Sequence, residues 1–268
     1  MTAGERWKAA FAGLLAGLAG GLFGVGGGIV LVPMLTGFFG LTQHRAHGTS
    51  LAVICFTAAS GVIVYALNGR VEWMQAAIMA LASVATARFG ARLAARTSKA
   101  GLLRAFAVFV GLTALRLLWS PPVAAHAPLL AGWASIAASL ALGGVVGLLA
   151  GFLGIGGGVL IVPALTLGFG LPQQVAQGTS LALMLVTAPA GAFEHHRLGN
   201  VALGLLPMLG LGALLGAPLA SQLAIHLPHA VLVRCFAVFL LATALQTWIR
   251  SARVKRIEQA AKAAPVTQ

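Results

Sequence analysis

Residues 20–33 read GGLFGVGGGIVLVP, and 130 positions later residues 150–163 read AGFLGIGGGVLIVP. Each copy sets four glycines in five positions: Gly24, Gly26, Gly27 and Gly28 in the first, Gly154, Gly156, Gly157 and Gly158 in the second. Both lie inside apolar segments. A glycine in a helix interior costs about 1 kcal/mol against alanine. Four together break the helix and leave backbone N–H and C=O groups without helical partners. In lipid, such backbone is tolerated only where it is buried in protein or lines a cavity. Glycine-interrupted segments at matching places in two halves point to the binding site of a transporter.

The composition fits a bilayer. Of 268 residues, 59% are hydrophobic and only 8% charged. Lys and Arg number 17 against 4 acids, and there is no aspartate. In a soluble chain that balance would point to nucleic acid. Here it points to basic residues collected in cytoplasmic loops, and nucleic-acid binding is set aside. Cys55 and Cys235 sit at non-equivalent places, so neither a structural disulfide nor a metal site is expected. No cofactor is expected either. The basic, then apolar, start imitates a signal peptide. However, Gly13, Gly17 and Gly21 recur as Gly143, Gly147 and Gly151 in mid-chain, which makes the start a first transmembrane segment.

The offset persists along the chain. Gly48-Thr49-Ser50-Leu51-Ala52 matches Gly178-Thr179-Ser180-Leu181-Ala182, and Thr57, Gly61 and Gly69 match Thr187, Gly191 and Gly199. Further on, Arg104 and Phe106 match Arg234 and Phe236. The chain is two fused copies of one unit: residues 1–120, an extracytoplasmic linker over 121–132, residues 133–250, and a basic tail over 251–268.

Residues 9–40 carry no charge. One helix of that length would be about 48 Å long, against a hydrocarbon core of about 30 Å. A glycine break near the middle leaves two arms of about 12 to 14 residues, which suits a re-entrant hairpin. Each half then holds one hairpin and three spans, near 48–66, 74–91 and 103–118, and near 178–195, 201–220 and 232–249. With the N-terminus in the cytoplasm, 14 of the 17 basic residues fall inside and only Arg70, Arg116 and Arg234 outside. If the glycine-rich segments crossed fully, the split would be 10 against 7. The positive-inside rule favours the hairpin. An odd unit inserts its two copies in opposite orientations. The expected fold is therefore an all-α integral membrane protein of two inverted-topology repeats, each a glycine-broken re-entrant hairpin plus three transmembrane helices. It is expected in the cell membrane, in bacteria the inner membrane, as a multi-pass protein with both termini cytoplasmic. Trp7, Trp73, Trp119, Trp133 and Trp248 fall near span ends, where indoles prefer the interface. Pro189 and Pro207 are expected to kink their spans.

The two glycine runs, each followed by an apolar stretch and then GTSLA, resemble the TauE/SafE family of sulfite exporters, also called the TSUP family of anion transporters. The resemblance covers about residues 9–250. It implies a small anionic substrate: sulfite, sulfoacetate or another organosulfonate.

Physical chemistry supplies a way to hold such an anion. A broken helix offers free N–H groups, and a helix N-terminus carries about half a positive charge. If residues 26–28 and 156–158 form the hairpin tips, two helix starts at Ile29 and Val159 face one another at the midplane. Glycine lets the backbone approach the anion closely. The recurring Gly13, Gly17 and Gly21 fit tight helix packing better. Thr49, Ser50, Thr179 and Ser180 read as the openings of spans, as N-caps or as added hydroxyl donors. Gln43, Gln173 and Gln177 precede these pairs and are candidate substrate contacts. For proton coupling the candidates are His44, His47, Glu194, His195 and His196. Arg104, Arg116 and Arg234 are expected to reach toward headgroups.

The leading reading is a secondary transporter exporting sulfur-containing anions by alternating access, within a lipid bilayer and compatible with a homodimer. The alternative is an anion channel of the same architecture. An enzyme is not expected, because aspartyl chemistry lacks its aspartate; nucleotide-driven transport is not expected either, because GVGGG lacks the Lys-Ser/Thr of a phosphate loop.

Overall fold

In the computed structural model, residues 3–94, 99–119, 132–153 and 157–263 are described, and these are helix joined by short turns. The helices are α1 (Ala3–Phe23), α2 (Gly28–Phe38), α3 (Gln43–Leu67), α4 (Trp73–Ala94), α5 (Lys99–Trp119), α6 (Trp133–Leu153), α7 (Gly158–Pro163), α8 (Gln173–Arg197), α9 (Leu206–His226) and α10 (His229–Ala263). A π-helical turn, Ala164–Gly168, continues α7. Residues 43–67, 173–197, 206–226 and 229–252 are long and apolar enough to cross a membrane. Large apolar side chains are exposed along these helices, among them Leu211, Leu215, Leu219, Val238 and Leu245. Such surface belongs against lipid tails. This is an all-helical integral membrane protein. All five tryptophans are exposed, as a headgroup belt requires. The linker, residues 121–131, lies outside the described residues.

The glycines reveal how the helices run. Gly13, Gly17 and Gly21 of α1 lie against Leu209, Ala213 and Ala217 of α9, in ascending order, so α1 and α9 are parallel. Gly143 and Gly147 of α6 lie against Met79 and Ser83 of α4 in the same way. Helix α3 is parallel to α9, since Gly210 faces Phe56 while Gly61 faces Ala217 and Ser221. Helices α1, α3 and α9 therefore all begin at one end of the bundle. The segment between the break and α3 must travel back to that end, and α2 does so. Leu31, Val32 and Leu35 of α2 are buried in one cluster with Ala9, Ala12 and Ala16 of α1 and Ala46 and Val53 of α3.

The counterpart helices run oppositely. Gly48 lies against His195 and Asn200, Gly61 against Leu181, Gly178 against Tyr65 and Arg70, and Gly191 against Leu51, so α3 and α8 are antiparallel. Arg104 of α5 lies over Trp248 of α10 with its carbon 5.7 Å from the ring centre, and Gly111 faces Ala244. These two are antiparallel as well.

Three expectations need correction. The first arm is not 12 to 14 residues but 21, because the helix starts at Ala3 and its first two turns carry Glu5, Arg6 and Lys8 out of the apolar region. Its return arm has 11 residues. The spans also begin earlier: α3 starts at Gln43 and α8 at Gln173, so Thr49, Ser50, Thr179 and Ser180 sit within their helices and are not N-caps. Finally, Pro207 occupies the first turn of α9, where its missing N–H costs nothing, while Pro218 is the proline inside that helix.

Candidate functional site

The break in the first half is built by left-handed backbone. Gly24, Gly26 and Gly27 have φ of 68°, 73° and 79°, a region closed to most residues with a side chain. Gly157 matches them with φ of 73°. Gly27 and Gly157 are the N-caps of α2 and α7. The Gly27 carbonyl accepts from the N–H groups of Val30 and Leu31, and the Gly157 carbonyl from those of Leu160 and Ile161. Gly154 and Gly156 lie outside the described residues.

The two breaks meet. A Cβ built on Gly158 would stand 2.7 Å from the Cα of Val25 and 3.1 Å from the carbonyl oxygen of Gly24. The same Cβ would meet the methyl of Met184, and one on Gly26 would stand 2.8 Å from the Met184 sulfur and 2.9 Å from Ile54. Ile54 and Met184 lie near the middle of α3 and α8, and they are equivalent under the offset of 130. The contact therefore sits at mid-depth in the bundle. Of the predicted glycines, Gly158 meets Gly24 across the breaks, and Gly26 lies against the same Met184 side chain. The starts of α2 and α7, with their positive dipole ends, belong to this centre.

A broken helix also has a negative end, and its carbonyls would repel an anion. Hydroxyls cover that end of α1. Tyr65 donates to the Gly21 carbonyl at 2.9 Å, Ser221 reaches the same oxygen at 3.4 Å, and Ser180 donates to the Gly24 carbonyl at 2.7 Å. Sequence reasoning missed Tyr65 and Ser221. The chain's single tyrosine, near the end of an apolar segment, was the available signal.

The amides are the unsatisfied groups. Gln177 is fully buried beside Gly24, and its Oε1 is 3.1 Å from the Tyr65 hydroxyl. Its other amide end has no partner, nor does either end of the fully buried Gln173. The buried Ser50 hydroxyl also lacks one. A polar group buried without a hydrogen bond costs about 1–3 kcal/mol, so the unpaired amide of Gln177 beside Gly24 marks where a polar ligand would be welcome.

Other candidates have structural duties. Thr49 Oγ accepts from the Ala202 N–H at 2.9 Å and donates to the Arg45 carbonyl at 2.7 Å. Thr179 Oγ accepts from the Glu72 N–H at 3.0 Å. These bonds pin the turn before α9 to α3, and the turn before α4 to α8. Gln43 is exposed at the start of α3 and lies 3.0 Å from His47 Nε2. His44, Glu194 and His196 are exposed, and Glu194 pairs with Arg197 at 3.9 Å. His195 is half-buried and its Nδ1 has no partner. Among the described residues, no three His, Cys, Asp or Glu side chains gather to hold a metal ion.

The sulfite exporter TauE/SafE family matches residues 2–117 and 139–267, which takes in both glycine breaks and nearly all the helices around them. The chain belongs to this family. Among TauE/SafE relatives, "Probable membrane transporter protein YunE" of Bacillus subtilis is 33% identical over 237 residues, covering 79% of this chain and 87% of the relative. A "Probable membrane transporter protein" of Xylella fastidiosa is 33% identical over 249 residues, 89% of this chain and 93% of the relative. One from Methanocaldococcus jannaschii is 26% identical over 190 residues, 68% of this chain and 69% of the relative. No solved structure matches. A TauE/SafE membrane transporter takes a small-molecule substrate across a lipid bilayer, and the abutting breaks are where this one offers polar groups at mid-depth.

Proposed function

We propose that the chain is a secondary transporter that exports a small sulfur-containing anion, such as sulfite, sulfoacetate or another organosulfonate, by alternating access about the central glycine breaks. It carries out no chemistry on its substrate. The observation that carries this reading is the contact of Gly158 with Gly24 and Val25 beside the unpaired Gln177 amide. Two helix starts supply positive dipole ends. Gln173, Gln177 and Ser50 supply neutral hydrogen-bonding groups, so the site is suited to bind an anion weakly enough to release it. The hydroxyls on the Gly21 and Gly24 carbonyls screen the opposing negative helix end.

The inverted arrangement supports alternating access. Antiparallel α3 and α8, and antiparallel α5 and α10, give each half a view of the centre from opposite sides. We place the start of α3 on the cytoplasmic side of the cell membrane, since the basic residues collect there. This orientation predicts that Gln43→Cys is shielded from an impermeant external thiol reagent, while Pro172→Cys is labelled. Labelling of Gln43→Cys with shielding of Pro172→Cys would reverse the orientation.

The reading is tested by flux in proteoliposomes loaded separately with sulfite, sulfoacetate, taurine, sulfate and chloride. Saturable flux of sulfite or a sulfonate, lost in Gln177→Leu, is expected. Flux of some other solute alone would retain the architecture and remove the sulfur anion as its cargo.

A further inference from the structure

The phenol beside the first break has one proton and two claims on it. Tyr65 is fully buried, and its hydroxyl faces the Gly21 carbonyl at 2.9 Å and Gln177 Oε1 at 3.1 Å. A phenol carries a single hydrogen, so it serves one of these oxygens at a time. Gly21 is among the last four residues of α1, whose carbonyls have no partner in their own helix. The other group that reaches it is Ser221, at the longer distance of 3.4 Å. A backbone carbonyl can only accept. A primary amide can do either, because a half-turn about its last bond exchanges its oxygen and its nitrogen.

Two arrangements follow. With Oε1 toward the phenol, Gln177 Nε2 is the unpaired end. If the proton goes to Gln177 in that arrangement, Gly21 depends on the long Ser221 contact. If the proton goes to Gly21, the phenol oxygen can accept from the Gln177 amide turned by half a turn, and the amide oxygen becomes the free end. The second arrangement makes one more good bond from the same groups. Gln177 is fully buried beside Gly24, and polar groups so placed are bonded wherever their surroundings allow it. The empty site therefore presents an acceptor. A ligand that can only accept must hold the site in the first arrangement and forfeit that bond. A ligand with a donor of its own keeps the second and completes it.

We infer that the central site selects small, singly charged anions that carry their own O–H. The hydroxyl of the ligand donates to the Gln177 amide oxygen, and its charged end takes the first N–H groups of α2. Tyr65, Gln177, Ser180 and Ser221 are neutral side chains, so nothing among them balances a second negative charge. The inference rests on the anion site proposed at the glycine breaks and deepens it, from a preference for charge to a preference for a hydrogen-bonding pattern. Gln177 is the group that meets the ligand. Tyr65 is a positioning residue: through its one proton it sets which end of the amide the ligand finds.

The test is equilibrium binding of ethanesulfonate and of 2-hydroxyethanesulfonate to the purified full-length protein at neutral pH, read by titration calorimetry. Both are singly charged and they differ by one hydroxyl, so the ratio of their affinities isolates the donor. The hydroxylated anion is expected to bind about tenfold tighter, the worth of one net hydrogen bond. Tyr65→Phe should bring the ratio close to one, because the amide without its phenol can present either end. A merely structural loss would weaken both ligands in proportion and leave the ratio alone. Ser221→Ala should keep the preference, since Gly21 then depends wholly on the phenol proton. Should Tyr65→Phe not assemble, Gln177→Leu reads the same ratio and is expected to abolish the preference while weakening both ligands. Equal binding of the two sulfonates to the unaltered protein would overturn the inference and leave the anion site standing. So would a preference that survives in Tyr65→Phe or, where that variant does not assemble, in Gln177→Leu. Binding of neither sulfonate nor of sulfite would remove the anion site itself, and the inference with it.

Discussion

Gly158→Ala is expected to cut sulfite flux by about a hundredfold in a protein that still assembles, the scale on which a misplacement of about 1 Å acts in a preorganised site. Gly158 has ordinary helical backbone, so alanine brings no strain, and helix propensity favours it by about 1 kcal/mol. The obstacle is the neighbour across the break. The new methyl would stand 2.7 Å from Val25 Cα and 3.1 Å from the Gly24 carbonyl. Met184 is flexible and can turn aside, but the backbone of the first break cannot move without disturbing the Ser180 bond to Gly24. The two breaks are pushed apart, and the polar groups lining them lose their common focus. Gly168→Ala is the matched control, since a methyl there meets nothing within 4 Å. Measuring flux, yield and thermal stability of both variants decides the matter. Full flux in Gly158→Ala would show that the ligand does not need the breaks in contact.

This choice of variant shows what the sequence leaves open. Gly27→Leu and Gly157→Leu look like the natural tests from composition alone. Yet both residues have positive φ, and a side chain at Gly27 would collide with the Ala16 carbonyl. Such variants would damage the fold and leave the site unexamined. The doubled glycine runs were legible because four glycines in an apolar helix have few other uses. The return of α2 was legible from charge counting, since only a hairpin collects the basic residues on one side. What periodicity could not supply was depth. Helix α1 carries charged residues in its first turns, so charge alone cut its arm too short. The polar start of α3, QHRAHGT, resembles a loop until His47, Gly48 and Thr49 are seen buried against the other half.

The candidate site was legible in part for a similar reason. A motif marks the backbone that breaks, not the partners that complete it. Tyr65 and Ser221 reach the Gly21 carbonyl from far along the chain. Their roles depend on α3 and α9 lying parallel beside α1. Thr49 and Thr179 illustrate the converse. Their repetition is real, but each hydroxyl accepts a backbone N–H from the opposite half, and this use fixes helix spacing whether or not a ligand is present.

Gly17→Leu is expected to prevent assembly altogether, and Gly147→Leu to do the same from the other half. Alanine at Gly17 would already place its Cβ 2.7 Å from the Ala213 carbonyl and 2.9 Å from the Ala213 Cα. The partner atoms are backbone, so no rotamer change relieves the clash. Overpacking of a core by side chains alone costs about 1–3 kcal/mol, and here two helices must separate along their whole seam. In lipid there is little hydrophobic force to draw them back, because tails are as apolar as leucine. Close backbone packing through small residues is what holds such helices together. The seam is reciprocal: Gly212 and Gly216 of α9 press on Ala10 and Leu14 of α1. Each half's first arm is thus clamped by the second span of the other half, α1 by α9 and α6 by α4. A hairpin that moved as a free gate would have to break this seam. This close packing predicts that α1 with α9, and α6 with α4, stay together as two units. Gly37→Ala, with open space around its Cβ, should leave yield and melting temperature unchanged or slightly raised. Monodisperse yield in detergent and the thermal midpoint separate the cases. A folded, monodisperse Gly17→Leu would mean that α1 can leave α9, and the hairpin itself would then become the moving part.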